Sequence, residues 1–68
     1  MENWEQIYST ASLAHAEILK GMLNENNITV VLVNKKDSGY VVLGEVEIWV
    51  NKDDIVRALH LIKSAENE

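Results

Sequence analysis

The side chains with the widest chemical range in this chain are two histidines, His15 and His60, and the first question is whether a partner stands beside either. His15 falls on the apolar arc of a helical pattern, near its start, where an imidazole could serve as a buried base. General acid–base work needs a positioned acid or base within hydrogen-bond reach, and the sequence around His15 places none there. The expectation is a histidine at the end of the arc with one ring nitrogen in water. His60 falls on the polar face of the last helical pattern, near its C-terminus, where the helix dipole favours a cation. The two lie on different helices, and neither has a second His or Glu four residues on along its own face, so no metal site is expected. Ser9, Ser12, Ser38 and Ser64 stand in no nucleophile-elbow context, and three glycines build no phosphate-cradling loop. The expectation is a protein that is not an enzyme and holds no cofactor.

Lys35 and Lys36, followed by Asp37, Ser38, Gly39 and Tyr40, form a polar connection that could receive a phosphate or an acidic partner. The competing expectation is a solvated turn whose charges discourage further strand pairing. The formal charge is −5, the wrong sign for a basic stripe that displaces counterions from phosphates, so no nucleic acid is expected as a partner. The start Met1-Glu2-Asn3-Trp4-Glu5 has no basic and apolar leader, and no apolar run is long enough for a bilayer. Together with the absence of cysteine, these features predict a cytoplasmic protein with no membrane contact. A chain of 68 residues is expected to form one domain, spanning 1–68.

These side chains must be positioned by a small set of elements. Trp4 to Ser9 reads as a strand in which Ile7 faces one way and Trp4, Gln6 and Tyr8 the other. Ser12 is placed to cap a helix from about Leu13 to Glu25, with Ala16, Ile18, Leu19, Met22 and Leu23 on its apolar arc beside His15. Asn26-Asn27 ends it, because Asn tolerates the left-handed conformation. Then come Ile28 to Val33 and Glu45 to Val50, β-branched and aromatic runs that predict a hairpin, with Tyr40 to Leu43 as an extension and Gly44 as a bulge. In the last strand Val46, Ile48 and Val50 alternate with Glu45, Glu47 and Trp49. Asn51 precedes a final helix with Asp53 and Asp54 in its first turn and the spacing of a capping box; Ile55, Ala58, Leu59, Ile62 and Ala65 form its apolar stripe.

The order strand, helix, strand, strand, helix predicts an α+β fold, the ferredoxin-like plait lacking its last strand (βαββα). Its three-stranded sheet has the third strand in the middle and two helices on one face, and the first strand keeps an open edge. The chain resembles a known family on particular stretches: Ala16-Glu17-Ile18, Asn26-Asn27-Ile28, Gly44-Glu45-Val46-Glu47-Ile48-Trp49-Val50 and Asp53-Asp54-Ile55-Val56-Arg57-Ala58. They are similar to the small bacterial domains described as putative prokaryotic signal-transducing proteins, a family of unknown function grouped by fold with PII-like proteins. The resemblance implies a signalling role. It carries over neither the modifiable loop tyrosine of PII proteins nor their nucleotide-binding residues.

Trp4, Tyr8 and Trp49, with Val31 and Val33, are expected on the sheet face away from the helices. Left bare, they would make an apolar patch larger than a small monomer usually exposes, and Trp and Tyr are frequent interface anchors. The expected function is therefore a non-enzymatic regulatory or protein-interaction module, a homo-oligomer with a dimer favoured, joined through this face or the first-strand edge. The other expectation, from fold analogy, is a sensor of a nucleotide or metabolite bound in a cleft between subunits. Lys35, Lys36, Asp37, Ser38 and Tyr40 are the candidates for contact with a further protein partner.

Overall fold

The structure is a computed structural model that describes residues 2–35 and 45–67. Its elements run β1 (Trp4–Thr10), α1 (Leu13–Glu25), β2 (Val30–Asn34), β3 (Val46–Asn51), one 3-10 turn (Lys52–Asp54) and α2 (Ile55–Glu66). The sheet has three strands in the order β1-β3-β2, with β3 antiparallel to both neighbours. β1 and β2 are therefore parallel to each other with β3 between them. This is the α+β plait without its last strand.

Alternation along β3 places the core. Val46, Ile48 and Val50 are fully buried, and Ile48 and Val50 pack with Val30 of β2, Leu19 and Leu23 of α1, and Ala58 and Ile62 of α2. Both helices thus cover one face of the sheet. Burying a large aliphatic side chain is worth about 1.5–3 kcal/mol, and the residues of this cluster come from four different elements.

Both ends of α1 are set by local chemistry. Ser12 has extended backbone angles, and its hydroxyl accepts the His15 N–H at 3.1 Å. At the other end Asn27 adopts a φ of 64°, the Asn27 N–H reaches the Asn24 carbonyl and the Ile28 N–H reaches the Leu23 carbonyl, both at 3.0 Å. That pair of bonds is a Schellman ending, and its usual apolar contact is made here by Leu23 and Ile28, both buried in the core. Ile28 and Thr29 are spent on leaving the helix, which is why β2 begins at Val30 rather than Ile28.

Four expectations need correction. Ile18 is 70% exposed: the buried side of α1 centres on Ala16, Leu19 and Leu23, and the predicted arc extends one position too far. On α2 the stripe is likewise rotated, so Leu61 packs against the core while Leu59 is exposed, as is Ala65 at the C-terminal end. The capping box does not form. Asn51 Oδ1 accepts the Asp53 N–H at 2.9 Å and starts the 3-10 turn, while the Asp54 carboxylate lies 3.5 Å from Arg57. The fourth concerns β1, where the register shifts between Gln6, opposite Trp49, and Tyr8, opposite Ile48. Ile7 is an extra residue, a bulge that twists the strand and blunts its outer edge. Tyr8 consequently stands on the helix side, packed with Ile7 against the core, and not beside Trp4 and Gln6. The hairpin extension from Tyr40 and the bulge expected at Gly44 lie outside the described residues.

The core assignment has a direct check. Ile48→Ala should lower the unfolding free energy by about 2–5 kcal/mol, read as a fall in the urea midpoint. Ile18→Ala should change it by no more than about 0.5 kcal/mol.

Candidate interaction face

With Val46, Ile48 and Val50 committed to the helices, Glu47, Trp49 and Asn51 point to the opposite face. Pairing across the sheet then composes this face in rows. Gln6, Trp49 and Val31 form one, Ser9, Glu47 and Val33 the next, and Trp4 lies opposite Asn51. Trp4, Trp49, Val31 and Val33 are all half-buried. Four of the five residues expected on this face are therefore brought together, and the bulge removes the fifth, Tyr8.

One residue of the face was not singled out by sequence reasoning. Glu47 is only 7% exposed although neither α1 nor α2 covers its side of the sheet. Its Oε1 accepts the Trp49 indole N–H at 2.9 Å, and its Oε2 lies 3.5 Å from the Lys35 ammonium. A carboxylate that surrenders water needs partners for both oxygens, and here both have them. The bond also fixes the indole, so Trp49 is an aromatic group with little rotamer freedom left to lose. The signal was present in sequence as Glu and Trp two apart on one strand, which places them on the same side. Lys35 is the described member of the predicted loop contacts and bonds through its backbone N–H to the Glu45 carbonyl at 3.0 Å. Lys36, Asp37, Ser38, Gly39 and Tyr40 lie outside the described residues.

A second cluster sits on the helix side, where β1 meets both helices. The Tyr8 hydroxyl donates to Glu66 Oε2 at 2.6 Å, and the Tyr8 and His15 rings meet edge to face with centroids 5.8 Å apart. His15 Nδ1 is 3.1 Å from Thr10 Oγ1, and its Nε2 is 3.7 Å from Glu66 Oε2. Thr10 Oγ1 also accepts the Ser12 N–H at 3.2 Å, so this hydroxyl serves both the start of α1 and the imidazole. His15 thus has a hydrogen-bonding partner on Nδ1, while Nε2, on a part-exposed side chain, only approaches the Glu66 carboxylate. The partner missed was Glu66, from a tail that carries no pattern of its own. The cluster ties the last turn of α2 to β1 and α1.

A family model described as "Putative prokaryotic signal transducing protein" matches residues 4–66. The chain belongs to that family. No curated protein and no solved structure matches it significantly. The matched span runs from the first residue of β1 to the last of α2, so it takes in both clusters. Among the described residues no helix is long and apolar enough to cross a membrane.

The Tyr8 bond predicts a pH effect. Donation to the Glu66 carboxylate, then burial, then repulsion by the Glu66 charge hold the Tyr8 hydroxyl protonated to higher pH than usual. A group whose folded pKa is raised contributes stability below its unfolded value, and that contribution is lost as pH rises through the folded value, here in the alkaline range above about 10. Tyr8→Phe should cost at most about 1 kcal/mol near neutral pH, because the bond is open to solvent. It should also remove part of the alkaline loss of stability in denaturant titrations across that range.

Proposed function

We propose that this member of the signal-transducing family is a non-enzymatic interaction module that self-associates through the helix-free face of its sheet, with a dimer as the expected assembly. The observation that supports this most is Trp49: half-buried, flanked by Val31, near Trp4, and held by Glu47 in one orientation. Indole groups that are already ordered lose little entropy on docking and dominate interface energetics. The face is preferred to the β1 edge because the bulge at Ile7 disturbs the outward row of backbone groups that edge pairing would need. The grouping of Thr10, His15 and Glu66 is read as structural. Its hydroxyl and carboxylate already accept from the Ser12 N–H and the Tyr8 hydroxyl, which accounts for the cluster without a substrate.

Sedimentation equilibrium over a wide concentration range tests the reading. The native chain should approach twice the mass of one chain, and Trp49→Ala should weaken association by about 2 kcal/mol, roughly 30-fold in dissociation constant. A native chain that stays monomeric throughout, with Trp49 fluorescence freely quenched by acrylamide, would remove self-association from consideration.

A further inference from the structure

β2 is the other edge of the sheet, and it lacks the defence found in β1. Its five residues pair with β3 without a register shift, Val30 to Val33 are apolar, and no charge stands between Val30 and Asn34. The Lys35 N–H bonds to the Glu45 carbonyl, and this pair continues the register in which Val31 faces Trp49 and Val33 faces Glu47. In an antiparallel ladder, residues that bond to the neighbouring strand alternate with residues whose N–H and C=O point away from it. Val31, Val33 and Lys35 are therefore the residues bonded toward β3, and the backbone groups of Val30 and Leu32 point outward. Among the described residues no backbone group pairs with those of Leu32 on that side. A regular, apolar edge strand with unpaired backbone groups is a template for another strand.

We infer that β2 pairs edge to edge with β2 of a second copy, antiparallel and centred on Leu32, so that two three-stranded sheets join into one continuous sheet. The Leu32 N–H and C=O of each copy then exchange bonds with those of the other across a two-fold axis, and Val31 lies opposite Val33 of the second copy on the helix-free face. The occupant follows from the side chains. β2 is apolar on both faces, with Val31 and Val33 on one and Val30 and Leu32 on the other, so the strand that fits beside it is apolar on both faces too. A second β2 is such a strand. It also brings no charge to the junction, although the whole chain carries a net charge of −5. The inference does not rest on the face-to-face reading, and the two contacts are compatible, because one stacks sheets and the other lengthens them. Pairing between five-residue strands is the smaller contact, so it should join face-paired copies at the upper end of the concentration range.

Amide hydrogen exchange, followed by NMR in dilute and concentrated samples, tests the edge directly. The Leu32 amide should exchange roughly tenfold more slowly in the assembled sample, because pairing takes it out of water, while the Val33 amide, bonded to β3 in either case, should change far less. Association through the face alone leaves the Leu32 N–H in water. Trp49→Ala, which weakens the face, should still form a two-chain species at high concentration and keep the slow Leu32 exchange. Leu32→Pro removes the outward donor without removing a bond to β3, a position where a sheet admits proline, and should abolish that species. Fast Leu32 exchange in an assembled native sample overturns the edge pairing and leaves the face reading intact. A native chain that never associates overturns both. Should Leu32→Pro fail to fold, the exchange measurement decides alone.

Discussion

The whole molecule depends on the alternation of one strand. β3 is hydrogen-bonded on both edges and covered on one face by both helices, so its side chains have no freedom to choose a side. Val46, Ile48 and Val50 vanish from solvent completely, and that forces a carboxylate and an indole to share the opposite face. An ionised carboxylate beside an indole and two valines would be costly unless bonded. The indole N–H and the Lys35 ammonium resolve the conflict, and in doing so they hold Trp49 in place on that face. A feature that begins as a folding constraint thus supplies the preorganised group on which recognition could act.

The helix side solves the complementary problem. A small domain has few residues to close its corners, and here one carboxylate at the end of α2 receives a hydroxyl from β1 and faces an imidazole from α1. Thr10 joins β1 to the helix cap by accepting from Ser12 while serving His15. Polar side chains take over at the periphery of the core what aliphatic packing does at its centre. Such networks rigidify when every member is satisfied, and no buried side-chain polar atom among the described residues lacks a partner.

What the amino-acid sequence discloses follows the range of the forces involved. The limits of α1 are legible to the residue because Ser12, Asn26 and Asn27 act on backbone groups within a turn. The faces of β3 are legible because strict alternation has only two outcomes. Ile18 and Leu59 are misplaced because periodicity gives the width of an apolar arc more readily than its centre, which is decided by where the sheet lies. Tyr8 is misplaced for a deeper reason: nothing in Trp4 to Thr10 announces a bulge, and its position is decided by registry with β3, some forty residues along the chain. The partners Tyr8–Glu66 and Lys35–Glu47 share this character. Each joins groups that only the finished topology brings near.

The extra residue in β1 also says how the three strands would tolerate changes of length. Taking one residue out at Ile7 would leave Gln6 and Tyr8 on the sides they already occupy, so the ladder could close as a regular strand with its outward-facing and inward-facing sets unchanged. The loss would be Ile7's packing and the twist that keeps the outer edge from offering a flat row of backbone groups. The same deletion within β3 would exchange the two sets, driving Glu47 and Trp49 toward the helices and expelling the valines. Length is therefore negotiable at the rim of this sheet and invariant at its centre, and drift by insertion and deletion would find its opening in the first strand.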